Sequence, residues 1–508
     1  MRPTLRNIAA PFALIALLAS TRGVLAQQSA PPDYDRWYAI EIRGQKAGHA
    51  HMVQRTGEDG RITTSSTMKF EISRSRISTT MEMVTTFVES PDGELRRVEF
   101  EQSLGTGSSV ESNYRFEDGA IVKVSSHMGQ ETESQRPPFD MEYLTPVEVR
   151  EHLVRRIDDG ATEIKYVSLD PTSGLKLTQT VSKVHGPEKI EVYGREMVAL
   201  KVTSVNSATP SVEVTEYLDE QGVALKTDMK MGAFPFRLIA MTKAEALREG
   251  EAGDQPDLFT PTFVKVDPPV ESPRGVTAAT FRLEVEEGEL HEFFTGGAHT
   301  FERLGETTGR VRVDLGNPTA APGKALSDPR YSKPTTYANT EDTRIIRLAQ
   351  SAVKGAPADD PLARAVAMRE FVYEFVESKD LGTGFATASE VCRTARGDCS
   401  EHAVLLAALL RAQRIPSRVI SGLVYADAFA GARSVFVYHM WTQALMTIDG
   451  EPRWIDLDAT LPPGSRMDAM HIAVSSFDLT EGELTASMTP VVSLLGNLSV
   501  EVESISRD

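Results

Sequence analysis

Cysteine is nearly missing from this chain: in 508 residues only Cys392 and Cys399 occur. So few thiols exclude a disulfide framework and leave the fold to hydrophobic cores. The two lie seven apart in EVCRTARGDCSEH, where a bridge is sterically conceivable but would close a small, strained loop beside a helix start. A buried, idle Cys392 is the expected outcome. Positive charge is also scarce, with 54 Lys and Arg against 72 Asp and Glu and a net charge of −18. That balance argues against non-specific binding to nucleic acid or to an anionic membrane, both of which need clustered cations. Long apolar runs are absent as well: past the N-terminus none reaches the ~20 residues needed to span a bilayer.

The first 26 residues have the pattern of a secretory signal. Arg2 and Arg6 open it, Ile8 to Ala19 is mostly apolar, and Val24-Leu25-Ala26 offers a small-residue cleavage site. The mature chain is expected to begin near Gln27, exported to the periplasm or secreted. An uncleaved anchor is the competing reading, to which Arg22 lends weight. No Cys follows the cleavage site to accept a lipid.

A chain of this length exceeds what one core usually organises, so several domains are expected. From Tyr34 to about Arg248 the pattern is strand-like alternation broken by turns such as Pro91-Asp92-Gly93 and Glu220-Gln221-Gly222. Residues 27–250 therefore read as a β-rich antiparallel region, a large sheet or open barrel suited to binding, with one helix near Pro146 to Arg156. His49 and His51 share a strand face there, but no further ligand completes a metal set, and a solvated face is expected. Residues 251–277 read as a linker, 278–316 as a small β module and 317–335 as a second linker.

From 336 to 508 the period becomes helical and then mixed. Asp342 can cap a helix over Thr343 to Lys354, and Asp360-Pro361 opens another reaching Glu377. Thr387-Ala-Ser-Glu390 has the form of a capping box for a third, short helix. The run from Cys399 to Arg411 is apolar nearly all round and should be a buried central helix. Strands are expected at Ser417 to Tyr425, Val435 to Met446 and Arg453 to Ala459. The fold class is thus α+β multidomain, with the N-terminal β-rich antiparallel region ahead of a C-terminal α+β domain.

Cys399 would sit in the first turn of the central helix, where unpaired N–H groups and the helix dipole favour a thiolate. A thiol nucleophile also needs a base and a group to hold that base. In Val435-Phe-Val-Tyr-His-Met-Trp-Thr-Gln443 the alternation puts His439 on one face with Trp441 and Gln443. The dipeptide Asp449-Gly450 suits a two-residue hairpin turn, and on that register Trp441 lies opposite Asp458, diagonal to His439. Asp456 shares the face one step further away, so Asp458 is preferred as the orienting carboxylate. His402 is a rival base, but three residues from Cys399 on one helix it points alongside rather than towards substrate. Asp398 and Glu401 are expected to cap the helix.

GDCSEH, the helix with LLRAQRIPSRVISGLVY, then YHMWTQ and WIDLDAT, resemble the transglutaminase-like superfamily of papain-like folds, over roughly Tyr331 to Asp508. The resemblance implies a Cys399, His439 and Asp458 triad, with Trp441 as the aromatic residue two after the His. Gln443 departs from it, since many members carry Glu there. Met467 to Ser476 looks like the tail that follows the Asp strand. What the resemblance implies is cysteine-dependent acyl transfer on amide bonds of proteins or peptides, with hydrolysis favoured over amine transfer; no cofactor or metal is expected. A cross-linking acyltransferase and a non-catalytic envelope scaffold are the alternatives, with an envelope partner expected at the β-rich region.

Overall fold

The computed structural model describes residues 32–74, 77–105, 109–127, 130–248, 260–378, 385–480 and 483–507. The expected signal segment, 1–26, lies outside them.

Among the described residues, fourteen strands from β1 (Tyr34–Ile42) to β14 (Phe234–Met241) form one antiparallel sheet. Its order runs from β8 (Gln130–Arg136) at one edge back to β1, then across to β14 and down to β9 (Glu163–Asp170) at the other. Almost every neighbour is the next strand in the chain, so short turns can build the whole sheet. The inner face is apolar where Tyr38, Ile40 and Ile42 of β1 meet Phe236, Leu238 and Ala240 of β14. The sheet curls until its margins meet: Leu95, Val98, Tyr114 and Ile121 pack with Leu169 and Leu175, and Arg136 donates to the Leu175 carbonyl at 2.8 Å. Helix α1 (Pro146–Asp158), held at its start by a Thr145 and Glu148 capping box, lies between the two halves of the chain that build the sheet. A single turn of helix, α2 (Lys243–Ala246), closes the region.

The stretch expected to be a first linker is packed over its described part. Val264 and Lys265 form β15 (Val264–Lys265), and Val264, Val266 and Val270 are buried. Acidic and proline-containing sequence suggested a free tether, but these valines find an apolar surface and Val270 N–H bonds Tyr425 Oη at 3.0 Å. The second expected linker is also fixed, with Ala325 buried against Leu445 and Trp454, and Tyr331 edge-on to Trp454 at 5.0 Å.

The small module has β16 (Val276–Val285), β17 (His299–Arg303) and β18 (Thr308–Asp314), and its sheet is completed from far away. The last strand, β23 (Leu498–Arg507), pairs with β16 to give the order β17–β18–β16–β23. Strand β16 is apolar on one face and would expose an edge without that partner.

Helices α3 (Thr343–Ala352), α4 (Pro361–Phe375) and α5 (Ala388–Thr394) surround α6 (Cys399–Ala412), each capped by the residue the sequence suggested. Ala403 to Leu410 of α6 are all buried. The helix lies on a sheet of order β15–β20–β19–β22, with β21 added to β20. These strands are β19 (Ser417–Phe429), β20 (Ala432–Ile448), β21 (Glu451–Leu457) and β22 (His471–Phe477). Helix α7 (Glu483–Leu494) follows β22. Thr442 Oγ1 of β20 donates to the Ala403 carbonyl at 2.9 Å and ties sheet to helix.

The small sheet and the site-bearing sheet share one core. Phe281 of β16 is fully buried and meets Phe436 of β20 edge to face, centroids 5.6 Å apart. Phe281→Ala is therefore expected to destabilise the C-terminal half by about 3–5 kcal/mol, the cost of emptying a packed aromatic site. Denaturant unfolding followed by tryptophan fluorescence measures this; a loss under about 1 kcal/mol would mean the two sheets do not support each other.

Candidate active site

The hairpin joining β20 to β21 sets the site. Asp449 and Gly450 adopt φ of 52° and 82°, the left-handed pair that a two-residue primed turn requires. Ile448 therefore faces Glu451 and Gln443 faces Asp456. Continuing that register puts Asp458 level with Trp441, one diagonal step from His439. His439 Nε2 lies 2.9 Å from Asp458 Oδ2. An ionised carboxylate only accepts, so Nε2 carries the proton and Nδ1 is the basic nitrogen of the neutral ring.

Asp458 is almost completely buried, and donors surround it. Thr460 N–H and Oγ1–H donate to Oδ1 at 2.8 and 2.7 Å, while His439 and His471 share Oδ2 at 2.9 and 3.4 Å. Burial alone would raise this carboxyl, but the two imidazoles outweigh it and hold Asp458 well below the usual carboxylate range. Asp456 serves a different group: it accepts from Trp441 Nε1 at 2.7 Å and Gln443 Nε2 at 2.8 Å, with His299 Nε2 at 3.3 Å. Trp441 in turn lies parallel to the His439 ring, centroids 6.3 Å apart. Asp456 thus fixes the indole beside the base while Asp458 holds the base itself.

Gln443 also has a physical reason. Its amide donates to Asp456 and its oxygen accepts from Arg418 Nε and Nη2 at 2.9 and 2.7 Å. A Glu there could not donate to Asp456. Arg418 is sandwiched between Trp454 and Phe294, 3.9 and 4.6 Å from the ring centroids, and burial lowers it to about 10. Gly422 on β19 leaves room for Trp441: a Cβ there would fall 2.7 Å from the indole and 2.2 Å from the Ile472 carbonyl.

Cys399 begins α6, and its sulfur accepts a hydrogen bond from the Met440 backbone N–H, next in chain to His439. The helix start is not the only influence on this half-buried thiol. Burial pushes the Cys399 thiol well up, and the carboxylates of Asp398, Glu401 and Asp458 add to it against the Met440 N–H. A half-charge at a helix terminus is outweighed by desolvation and by the carboxylates of Asp398 and Asp458. Cys399 at rest is a thiol that needs a proton acceptor. Asp398 and Glu401 form the capping box, and Glu401 also accepts from Ala386 N–H at 2.7 Å. Burial, with Asp398 next to it, pushes Glu401 up to about 8. His402 Nδ1 bonds the Asp398 carbonyl at 2.6 Å within the helix. Cys392 is a free thiol like Cys399, pushed up to about 12 by burial.

His471, Asp468, His299 and Arg418 were not singled out from the sequence. They come from the tail after the Asp strand, the small module and a neighbouring strand, and no local spacing marks them. His51 stacks on Trp37 and bonds Asp35 at 2.8 Å on the N-terminal sheet. Among the described residues, His439, Asp458 and His471 bring ligand atoms within 4.8 Å of one another, close enough for a metal ion. Their spacings of 2.9 and 3.4 Å to one oxygen fall within hydrogen-bond range.

Part of the chain is similar to known proteins. Residues 347–459 match the family model of the transglutaminase-like superfamily and form a transglutaminase-like domain. No curated protein matches the chain. A β-barrel-like protein of the domain of unknown function DUF1849 from Brucella abortus is 14% identical, covering 41% of this chain and 96% of its own, at a TM-score of 0.33. A candidate cysteine protease from Cytophaga hutchinsonii is also 14% identical, covering 46% and 90% at 0.27. A candidate protease from Parabacteroides distasonis is 11% identical, covering 76% and 68% at 0.19. At such TM-scores these likenesses carry no structural argument.

The buried ions predict a pH profile for stability. His471 is raised from 6.5 to about 9, so its contribution is complete below about pH 6.5 and is lost as pH rises through 9. Asp456, Asp458 and Asp468 lie below 3.8, so theirs is present above that pH and lost as pH falls through the folded values. Thermal melts followed by Trp441 and Trp454 should peak between about pH 4 and 6.5 and decline towards pH 9. A melting temperature still rising from pH 7 to 9 would contradict it.

Proposed function

We propose that the protein is a cysteine-dependent acyl-transfer enzyme acting on amide bonds of proteins or peptides, after export to the periplasm or beyond, with hydrolysis as its usual outcome. The observation that carries this reading is the His439–Asp458 bond on the strand whose next N–H contacts Cys399. Cys399 Sγ attacks the amide carbonyl as its proton passes to His439 Nδ1, and the carbonyl oxygen becomes an oxyanion. The Cys399 backbone N–H, at the start of α6, would donate to that oxygen. Collapse breaks the C–N bond, with His439 returning the proton to the leaving amine and leaving a thioester. Water then attacks the thioester, giving its proton to His439, and the thiol is restored. Asp458 keeps the imidazole in the right tautomer and stabilises the imidazolium formed in each step. A primary amine in place of water would make the reaction a cross-link.

The high resting state of Cys399 favours a second reading: a non-catalytic protein whose N-terminal sheet contacts envelope components. Alkylation decides between them. Iodoacetamide near neutral pH should label Cys399 rapidly in the native protein and slowly in His439→Ala. Peptide cleavage should vanish in Cys399→Ala, and Asp458→Asn should lower kcat by about 10³–10⁴. Labelling no faster than a free thiol, and indifferent to His439, would leave the scaffold reading standing. Mass analysis with an added primary amine separates hydrolysis from transfer.

A further inference from the structure

His471 lies behind the base rather than at the thiol, and its surroundings fix its charge. It is completely buried at the start of β22. Its Nδ1 lies 3.0 Å from Asp468 Oδ1 and its Nε2 lies 3.4 Å from Asp458 Oδ2. Neither carboxyl can donate to it. Asp458 already accepts from Thr460 twice and from His439, and Asp468 accepts from Met470 N–H and pairs with Arg274. Both are held below the usual carboxylate range. A ring with an acceptor at each nitrogen satisfies both only as the imidazolium. Trp441 stands edge-on to it at 5.4 Å and closes the remaining side.

We propose that His471 is a positioning residue for the Cys399 reaction, a buried imidazolium that clamps Asp458 between two histidines and sets the basicity of His439. This inference rests on the triad reading above. The charged or titratable groups facing the pair are Asp458 beyond β21, Asp468 before β22, Arg274 before β16, and Cys399, with Asp398 and Glu401, at the start of α6. Of these, His471 is the cation that shares one oxygen of Asp458 with His439. It shares the Asp458 charge with His439, and its removal would leave that charge to the base alone. It also holds Oδ2 between two rings, so Asp458 cannot swing away when His439 becomes charged.

The test is the pH dependence of Cys399 alkylation by iodoacetamide in the full chain, compared for native protein, His439→Ala and His471→Gln. Gln keeps an N–H donor without the charge. The expected result is an acid limb in the native profile that is absent in His439→Ala and moves up by about one pH unit in His471→Gln, as removal of a neighbouring cation requires. A uniform loss of rate with an unmoved limb would reduce His471 to a structural part and overturn the proposal while leaving the triad intact. A rate unaffected by His439→Ala would instead overturn the triad reading. Should His471→Gln fail to fold, ¹⁵N spectra of the native imidazoles decide: both ring nitrogens of His471 protonated at neutral pH supports the proposal, and a single proton overturns it.

Discussion

The burial of ionised Asp458 is the constraint from which most of the C-terminal architecture follows. A carboxylate removed from water costs several kcal/mol unless nearly every lone pair finds a donor. Four donors meet this one, and they come from three places: β20 through His439, the turn after β21 through Thr460, and β22 through His471. Each ties a different segment to one atom pair. The hairpin register, the tail after β21 and the position of β22 against β19 are thereby correlated.

Asp456, two residues earlier on the same face, extends the pattern outward. Its partners Trp441 and Gln443 belong to β20, but His299 arrives from the small module. That module is completed by β23, the last strand of the chain. Residues from about 264 to 507 therefore behave as one interlocked unit around the site. The packed valines before β16 and the Phe281–Phe436 contact show the same continuity in apolar terms.

The thiol is where the local and the global pull apart. A helix start favours a thiolate, yet the enclosure that shields a reacting centre from water, together with the capping carboxylates, disfavours one. The capping box that makes α6 begin at Cys399 is itself a source of that penalty, since the Asp398 carboxylate lies beside the thiol. Activation by a neighbouring base resolves the conflict, because the proton then moves within the site rather than to solvent.

Much of this was legible in the chain itself. Alternation and turn residues specified the N-terminal antiparallel sheet, because side-chain period and tight turns are local properties. Asp449-Gly450 specified the hairpin register and so which aspartate could reach His439, and Asp342, Asp360, Thr387 and Asp398 specified where four helices begin. What the tertiary structure alone decided is whatever depends on burial and on partners distant in sequence. The supposed linkers are packed because their few apolar residues meet a surface built elsewhere, and β16 finds its second partner more than 200 residues away. His471, His299 and Arg418 acquire meaning only when β22, the small module and β19 converge on two carboxylates. The thiol of Cys399, favoured as a thiolate by its helix position, is pushed the other way by desolvation, a property no single segment of the sequence contains.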